Sequence, residues 1–154
     1  MANLNVTVTE ELTLNGSDRG STNTLSIASV TQVYHRIVTC PTGVDTTVAT
    51  FQTATSTSDN ALDLEDVKYI RVTNLSASDV KLSLQAASAE DGSPNMSTSL
   101  LLSTGMTFIM GAPHDGIAMD DDAATLVTAL VDLESLIING HASANASVEV
   151  FVAS

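Results

Sequence analysis

The sequence predicts an all-β protein, folded as one antiparallel β-sandwich of about eight or nine strands with jelly-roll-like character. Three observations support this class. Apolar residues recur mainly at every second position, which is typical of strands. Turn signals separate these segments at short, fairly regular spacing. Hydrophobic residues make up 44% of the chain while aromatic residues make up 3%, a composition that favours a folded core with Thr on exposed strand faces over disorder.

Length and charge limit the number of domains and the classes of partner that we expect. The chain has 154 residues and a single cysteine, Cys40, so we predict one domain over residues 1–154 that needs no disulfide. The net charge of -13 argues against nucleic acid and anionic membranes as partners, because both are bound through clustered Lys and Arg. With no signal-like or membrane-spanning apolar run, the expected site of synthesis is the cytoplasm.

The first strands are predicted at the amino end. Leu4, Val6 and Val8 alternate with polar residues, and Asn15-Gly16 indicates a tight turn before a second alternating segment. Residues 33–38 then alternate as well, with Val33, His35 and Ile37 on one side. That phase predicts a partly buried His35 instead of a metal ligand.

The middle of the chain contains a turn, a return strand and a strand pair. Residues 40–43 indicate the turn, residues 44–51 the return strand, and residues 52–60 a polar loop. Within residues 69–84 the even positions are expected to face the core. The core positions are Ile70, Val72, Val80, Leu82 and Leu84.

Three odd positions of the same stretch, Tyr69, Arg71 and Lys81, are candidate partner contacts. If Val72 paired with Val80, Arg71 would lie opposite Lys81, and opposed like charges destabilise a hairpin. Two arrangements avoid this conflict. The two segments belong to different sheets joined by a corner, or the basic residues meet an acidic surface on the same chain or a neighbour; internal pairing is the favoured form of the second.

The later segments add two more contact candidates. Residues 86–98 are predicted as a loop, residues 100–110 as a strand pair or a bent strand, and residues 135–139 and 148–152 as the last strands. Ile109 and Phe151 are out of phase with their apolar neighbours, so we expect them under a loop or at a subunit interface.

Residues 120–131 fit two interpretations. Asp120, Asp121 and Asp122 precede an Ala- and Leu-bearing segment as at a helix start, whereas the β-branched residues that follow favour a strand. The acidic run lacks the spacing of a calcium loop, so a solvated loop is favoured over a cation site. His35, His114 and His141 match no zinc pattern, and no nucleophile motif occurs. We therefore predict no enzyme activity, no cofactor and no metal.

Four segments resemble small virion proteins of tailed phages: LEDVKYIRVTNLSASDVKLSL, LLLSTGMTFIMG, LESLIING and VEVFVAS. The resemblance covers residues 62–154 and consists of strand and turn patterns, with no chemical motif. It implies a capsid decoration (cement) protein of β-sandwich type on the outer surface of the head. The implied partners are the major capsid protein and further copies of the chain, expected as a homotrimer. A tail, neck or receptor-binding component of the virion is the alternative.

Overall fold

A computed structural model describes residues 1–53, 61–87, 94–119, 129–140 and 144–154. These residues form strands and connections with no helix, which confirms the predicted all-β class. They divide into two compact units, Met1–Gln32 and Val33–Ser154. That the whole chain folds as one domain stays a prediction.

The amino-terminal unit is a two-stranded antiparallel ribbon. Strand β1 (Ala2–Glu10) pairs with β4 (Ser21–Val30), and the short strands β2 (Thr13–Leu14) and β3 (Ser17–Asp18) form a small hairpin between them. Asn15 and Gly16 connect β2 to β3 with φ values of 52° and 76°. Positive φ at both loop residues suits Asn-Gly in a two-residue hairpin turn, so the predicted turn is confirmed.

The carboxy-terminal unit contains two sheets. Its strands are β5 (Val33–Cys40), β6 (Asp45–Gln52), β7 (Leu62–Asp63), β8 (Tyr69–Asn74), β9 (Val80–Ala87), β10 (Pro94–Leu102), β11 (Thr107–Met110), β12 (Leu133–Asn139) and β13 (Ala146–Ala153). A five-stranded sheet has the order β10-β9-β12-β6-β7, and a four-stranded sheet has the order β11-β8-β13-β5. All pairs are antiparallel except β6 with β7.

The inner faces of these two sheets form one hydrophobic core. The predicted core positions of β8 and β9 are all buried in it, which confirms the phase assigned to residues 69–84. Strand β13, which pairs with β8, contributes three valines to the same core. They are Val148, Val150 and Val152.

A corner carries the chain from one sheet to the other between β8 and β9, and Asn74 holds it. Its amide nitrogen donates to the carbonyl oxygens of Ser78 and Leu102, both at 2.9 Å, and its side-chain oxygen accepts from the backbone N–H of Ser76 at 2.8 Å. Asn74 is fully buried, and these bonds compensate the cost of burying its amide.

Two sequence expectations need correction. The return strand β6 does not pair with β5, because the two lie in different sheets, although the turn between them forms, with the N–H of Val44 donating to the carbonyl of Pro41. The loop predicted over residues 86–98 is also too long. Strand β10 begins at Pro94. Its first residues lack apolar alternation because β10 is an edge strand, rich in Ser and Thr, that contributes few residues to the core.

The alternative of a helix or a strand over residues 120–131 falls largely outside the described residues. Residues 129–131 are not helical, and Val131 forms an isolated antiparallel bridge with Ile117. In the part of the chain that the structure describes, no helix has the length and apolarity needed to cross a bilayer.

Candidate interaction face

The outer face of the four-stranded sheet brings together most of the predicted contact residues. Pairing between strands aligns Ile109 with Arg71, Arg71 with Phe151, and Phe151 with His35, so these four side chains form one row across the sheet. A residue pair aligned in neighbouring strands places both side chains on the same face. We call this surface the outer β5–β8–β11–β13 face.

An ion-pair cluster lies at the centre of this face. Glu149 Oε2 is 2.8 Å from Arg71 Nη2, and Glu149 Oε1 is 2.7 Å from His35 Nε2. The three residues come from β13, β8 and β5, which are neighbours in the sheet. One carboxylate therefore has a guanidinium on one side and an imidazole on the other, and it is the only carboxylate among the outward residues of these strands.

Aromatic contacts connect the cluster to its apolar surroundings. The ring centroid of Phe151 lies 5.6 Å from that of His35 and 6.1 Å from that of Tyr69. The guanidinium carbon of Arg71 lies 5.7 Å from the Phe151 centroid. Such geometry allows edge-on ring packing and cation–π attraction. The charged groups are thus held in place by the rings as well as by each other.

Several apolar side chains of this face are exposed. Ile37 is 65% exposed, Val33 53% and Ile109 46%. The remaining outward positions of the four strands are mostly Thr and Ser, including the Thr73–Thr107 pair, whose hydroxyls lie 3.1 Å apart. The face therefore combines exposed apolar and hydroxyl side chains with a charge-compensated cluster at its centre.

Two expectations for individual residues of this face are wrong. The sequence predicts a partly buried His35, but its side chain is 51% exposed, because Tyr34 and Val38 of β5 pack against the core instead. The sequence also predicts an open, outward Tyr69, but this residue is only 4% exposed. Burial raises the pKa of the Tyr69 phenol, and the nearby Arg71 charge opposes that rise.

The expected conflict between Arg71 and Lys81 does not arise. Strands β8 and β9 lie in different sheets, which is the predicted arrangement with a corner between them. Arg71 also pairs with Glu149 of the same chain, which is the internal pairing that the sequence favours. Lys81 lies instead beside a shallow depression of about 260 Å³ on the outer face of the five-stranded sheet. That depression has a mainly polar lining: Asp45, Lys81, Ser83, Gln85, Ser99, Ile137 and Asn139. Whether Tyr69, Arg71, Lys81, Ile109 and Phe151 contact a partner stays a prediction.

Sequence reasoning missed Glu149, Val33 and Ile37 as members of this face. Glu149 is an isolated acid between two valines, and its basic partners are 78 and 114 residues away in the chain. The available signal was its position: it is out of phase with the core valines of β13, on the same side as Phe151.

A second titratable cluster surrounds His114. Its Nδ1 lies 3.0 Å from Asp132 Oδ1 and its Nε2 lies 3.5 Å from Asp115 Oδ2. Burial raises the pKa of the nearby Glu134 carboxyl, and the Asp132 charge raises it further. Within the described ranges, no three His, Cys, Asp or Glu residues are arranged to hold a metal ion. Asp120, Asp121, Asp122 and His141 lie outside those ranges.

Comparison with known proteins identifies no family for this chain. No family model and no curated protein matches the chain. One solved structure that aligns with it comes from the work titled "Bacillus endospore appendages form a novel family of disulfide-linked pili". The alignment covers 84% of this chain and 94% of that chain at 10% identity, with a TM-score of 0.38. A likeness at this level does not establish a shared fold or function.

Proposed function

We propose that this chain is a structural virion protein that decorates the outside of a tailed-phage head and stabilises the lattice by bridging capsomers. The observation that carries the proposal is the outer β5–β8–β11–β13 face, which exposes Val33, Ile37 and Ile109 and whose only carboxylate, Glu149, is paired with Arg71 and His35. Contact surfaces between proteins are depleted in uncompensated charge at their centre. A phage head is proposed as the particle because residues 62–154 resemble small virion proteins of tailed phages.

The proposed partner of this face is the major capsid protein. In a chain of net charge -13, an excess of acidic side chains repels another acidic surface, whereas the carboxylate of Glu149 on this face is paired with Arg71 and His35. Val33, Ile37 and Ile109 would lose their exposed apolar area on docking, and that loss favours binding.

The mechanism follows from linkage. A protein that binds the assembled lattice and not its separate subunits stabilises the assembled form by mass action. Individual contacts of modest strength are enough when many copies occupy a repeating lattice, because each capsomer boundary is then held at several points.

Binding to bare heads tests the proposal. Purified wild-type chain is added to heads that lack it, and bound protein is measured together with the temperature at which the heads rupture. We expect hundreds of copies per head and a higher rupture temperature. A few copies at one vertex or along a tail would support the tail or neck alternative, and no binding with unchanged rupture would overturn the proposal.

Matched variants locate the contact. Ile37→Asp and Ile109→Asp place a charge on the outer β5–β8–β11–β13 face, and each is expected to weaken head binding at least about tenfold, as for a buried charge left unpaired. Leu101→Asp is the control, because Leu101 is 58% exposed on the other sheet. An equal loss of head binding in all three variants would show that the contact is not specific to the outer β5–β8–β11–β13 face.

A further inference from the structure

The chain contains two Asn-Gly dipeptides, Asn15-Gly16 and Asn139-Gly140, and the fold places them in different local surroundings. Asparagine is one of the thermolabile residue types. Its side-chain amide can be attacked by the backbone nitrogen of the next residue, and glycine hinders that nitrogen least because it has no side chain. The two dipeptides share this chemistry, so a difference in their reactivity comes from the fold.

The reaction needs water and no other partner. The Gly16 nitrogen loses its proton and bonds to Cγ of Asn15, the Cγ–Nδ2 bond breaks, and Nδ2 leaves as ammonia with that proton. Water then adds to one of the two carbonyl carbons of the cyclic imide and breaks the bond from that carbon to the Gly16 nitrogen. The product is aspartate or isoaspartate, each with a new negative charge, and no atom changes its oxidation state.

Asn15 and Gly16 form the turn of a very short hairpin. Strands β2 and β3 have two residues each, and the hairpin contains two aligned residue pairs. Hairpins of this length are marginal in water and open locally at little cost in free energy. No atom lies within 4 Å of the position that a side chain on Gly16 would take, so packing does not hold this glycine in place.

The closed turn keeps the reacting atoms of Asn15 and Gly16 apart. Asn15 has a φ of 52°, and a residue in the left-handed conformation has a ψ of about +47°. At that ψ the Gly16 nitrogen points away from the Asn15 side chain, so the backbone must rotate before the new bond can form. The rate of reaction at Asn15 therefore depends on how often the hairpin opens.

Asn139 is held by stronger constraints. It ends β12, which lies between β9 and β6 in the five-stranded sheet, and it is aligned with a residue of each neighbour. Its Nδ2 donates to Asp45 Oδ1. Gly140 is buried, and a side chain on it would meet the carbonyl oxygens of Pro41 and Cys40 at 3.3 and 3.4 Å. Rotation of the backbone here requires the middle of the sheet to open, which costs far more free energy than opening a short hairpin.

We infer that Asn15 is a site of spontaneous deamidation in the folded protein and that Asn139 is protected from it. Isoaspartate adds a carbon atom to the main chain, so the two-residue turn cannot re-form with its present alignment, and the β2–β3 hairpin stays open. The inference goes beyond the proposed function and does not depend on it, because the reaction takes place within one chain and needs no capsid.

Ageing of the purified wild-type chain tests the inference. Samples are kept in mildly alkaline buffer with and without urea, and tandem mass spectrometry of tryptic peptides measures deamidation at each asparagine. In buffer, Asn15 is expected to react at least about tenfold faster than Asn139, because the two sites differ in the cost of local opening. In urea the two rates should be similar, since neither dipeptide is then held by the fold. A higher pH should speed the reaction at Asn15, because the Gly16 nitrogen must lose its proton.

Asn15→Gln provides the matched control, because the longer glutamine side chain forms the corresponding ring much more slowly. On isoelectric focusing, the aged wild-type chain should gain a more acidic species and the variant should not. Equal rates at Asn15 and Asn139 in buffer would overturn the inference, and so would an Asn15 that reacts in urea but not in buffer. An acidic species that persists in the variant would also overturn it. Failure of the unaged chain to bind heads would count against the proposed function alone.

Discussion

Arg71 and Glu149 pair at 2.8 Å between adjacent strands of the four-stranded sheet, and both side chains are largely shielded, with 32% and 21% exposure. The carboxylate also contacts His35. This arrangement joins three strands by side chains in addition to their backbone hydrogen bonds.

Glu149→Gln is expected to lower the free energy of unfolding by about 1 kcal/mol, because a partly shielded charge-assisted pair contributes more than a fully exposed one. Urea denaturation at neutral pH measures the change. Glu65→Gln is the control, since Glu65 is an exposed carboxylate, and it should cost less. Equal effects of the two substitutions would mean that the cluster adds nothing to stability.

Asn74→Ala is expected to destabilise the protein by about 2–3 kcal/mol, because it leaves the buried carbonyl of Leu102 and the partly buried carbonyl of Ser78 and N–H of Ser76 without their partner. Chemical denaturation gives the value. The same substitution at the exposed Asn5 should change stability by less than about 0.5 kcal/mol. If Asn74→Ala were as mild, the corner would not depend on the amide.

Glu134→Gln is expected to stabilise the protein at neutral pH. Burial and the charge of Asp132 raise the pKa of Glu134 above its ordinary value of 4.5. A carboxyl whose pKa is raised by folding favours the fold below about pH 4.5, and that contribution is lost as pH rises through the folded pKa. The gain of the variant over wild type should therefore be present at neutral pH and fade as the solution is acidified towards the ordinary pKa. A gain independent of pH would contradict this account.

Cys40 is expected to resist thiol reagents in the folded protein. It is fully buried, and burial raises the pKa of its thiol more than the hydrogen bond with Thr46 lowers it. Only the thiolate reacts. Labelling with a chromogenic disulfide at neutral pH should be slow without denaturant and complete in urea. Rapid labelling in buffer would show that this region of the core opens readily.

The phase of residues 69–84 was predictable because their two faces differ chemically. Apart from Asn74 at the corner, the even positions of β8 and β9 are aliphatic and the odd ones are mostly polar or charged, so alternation alone identifies the core side. The corner was also readable in outline, since the clash of Arg71 with Lys81 in a hairpin disfavours direct pairing.

Strand β5 could not be oriented in the same way. Both of its faces contain large apolar residues, so alternation separates Val33, His35 and Ile37 from Tyr34 and Val38 without saying which set is buried. That choice depends on the sheet packed against the strand. The pairing of His35 with Glu149 depends in turn on register between β5 and β13, which local sequence does not encode.

The order of strands in the four-stranded sheet also governs how it can form. Strand β13 lies between β5 and β8, and its Glu149 pairs with His35 and Arg71, which are 114 and 78 residues away in the chain. During synthesis, β5 and β8 are therefore made long before the strand that joins them. Pairing at such separation must overcome a large loss of chain entropy, so we expect this sheet to complete late and slowly, with the edges of β5 and β8 open to misassociation in the meantime.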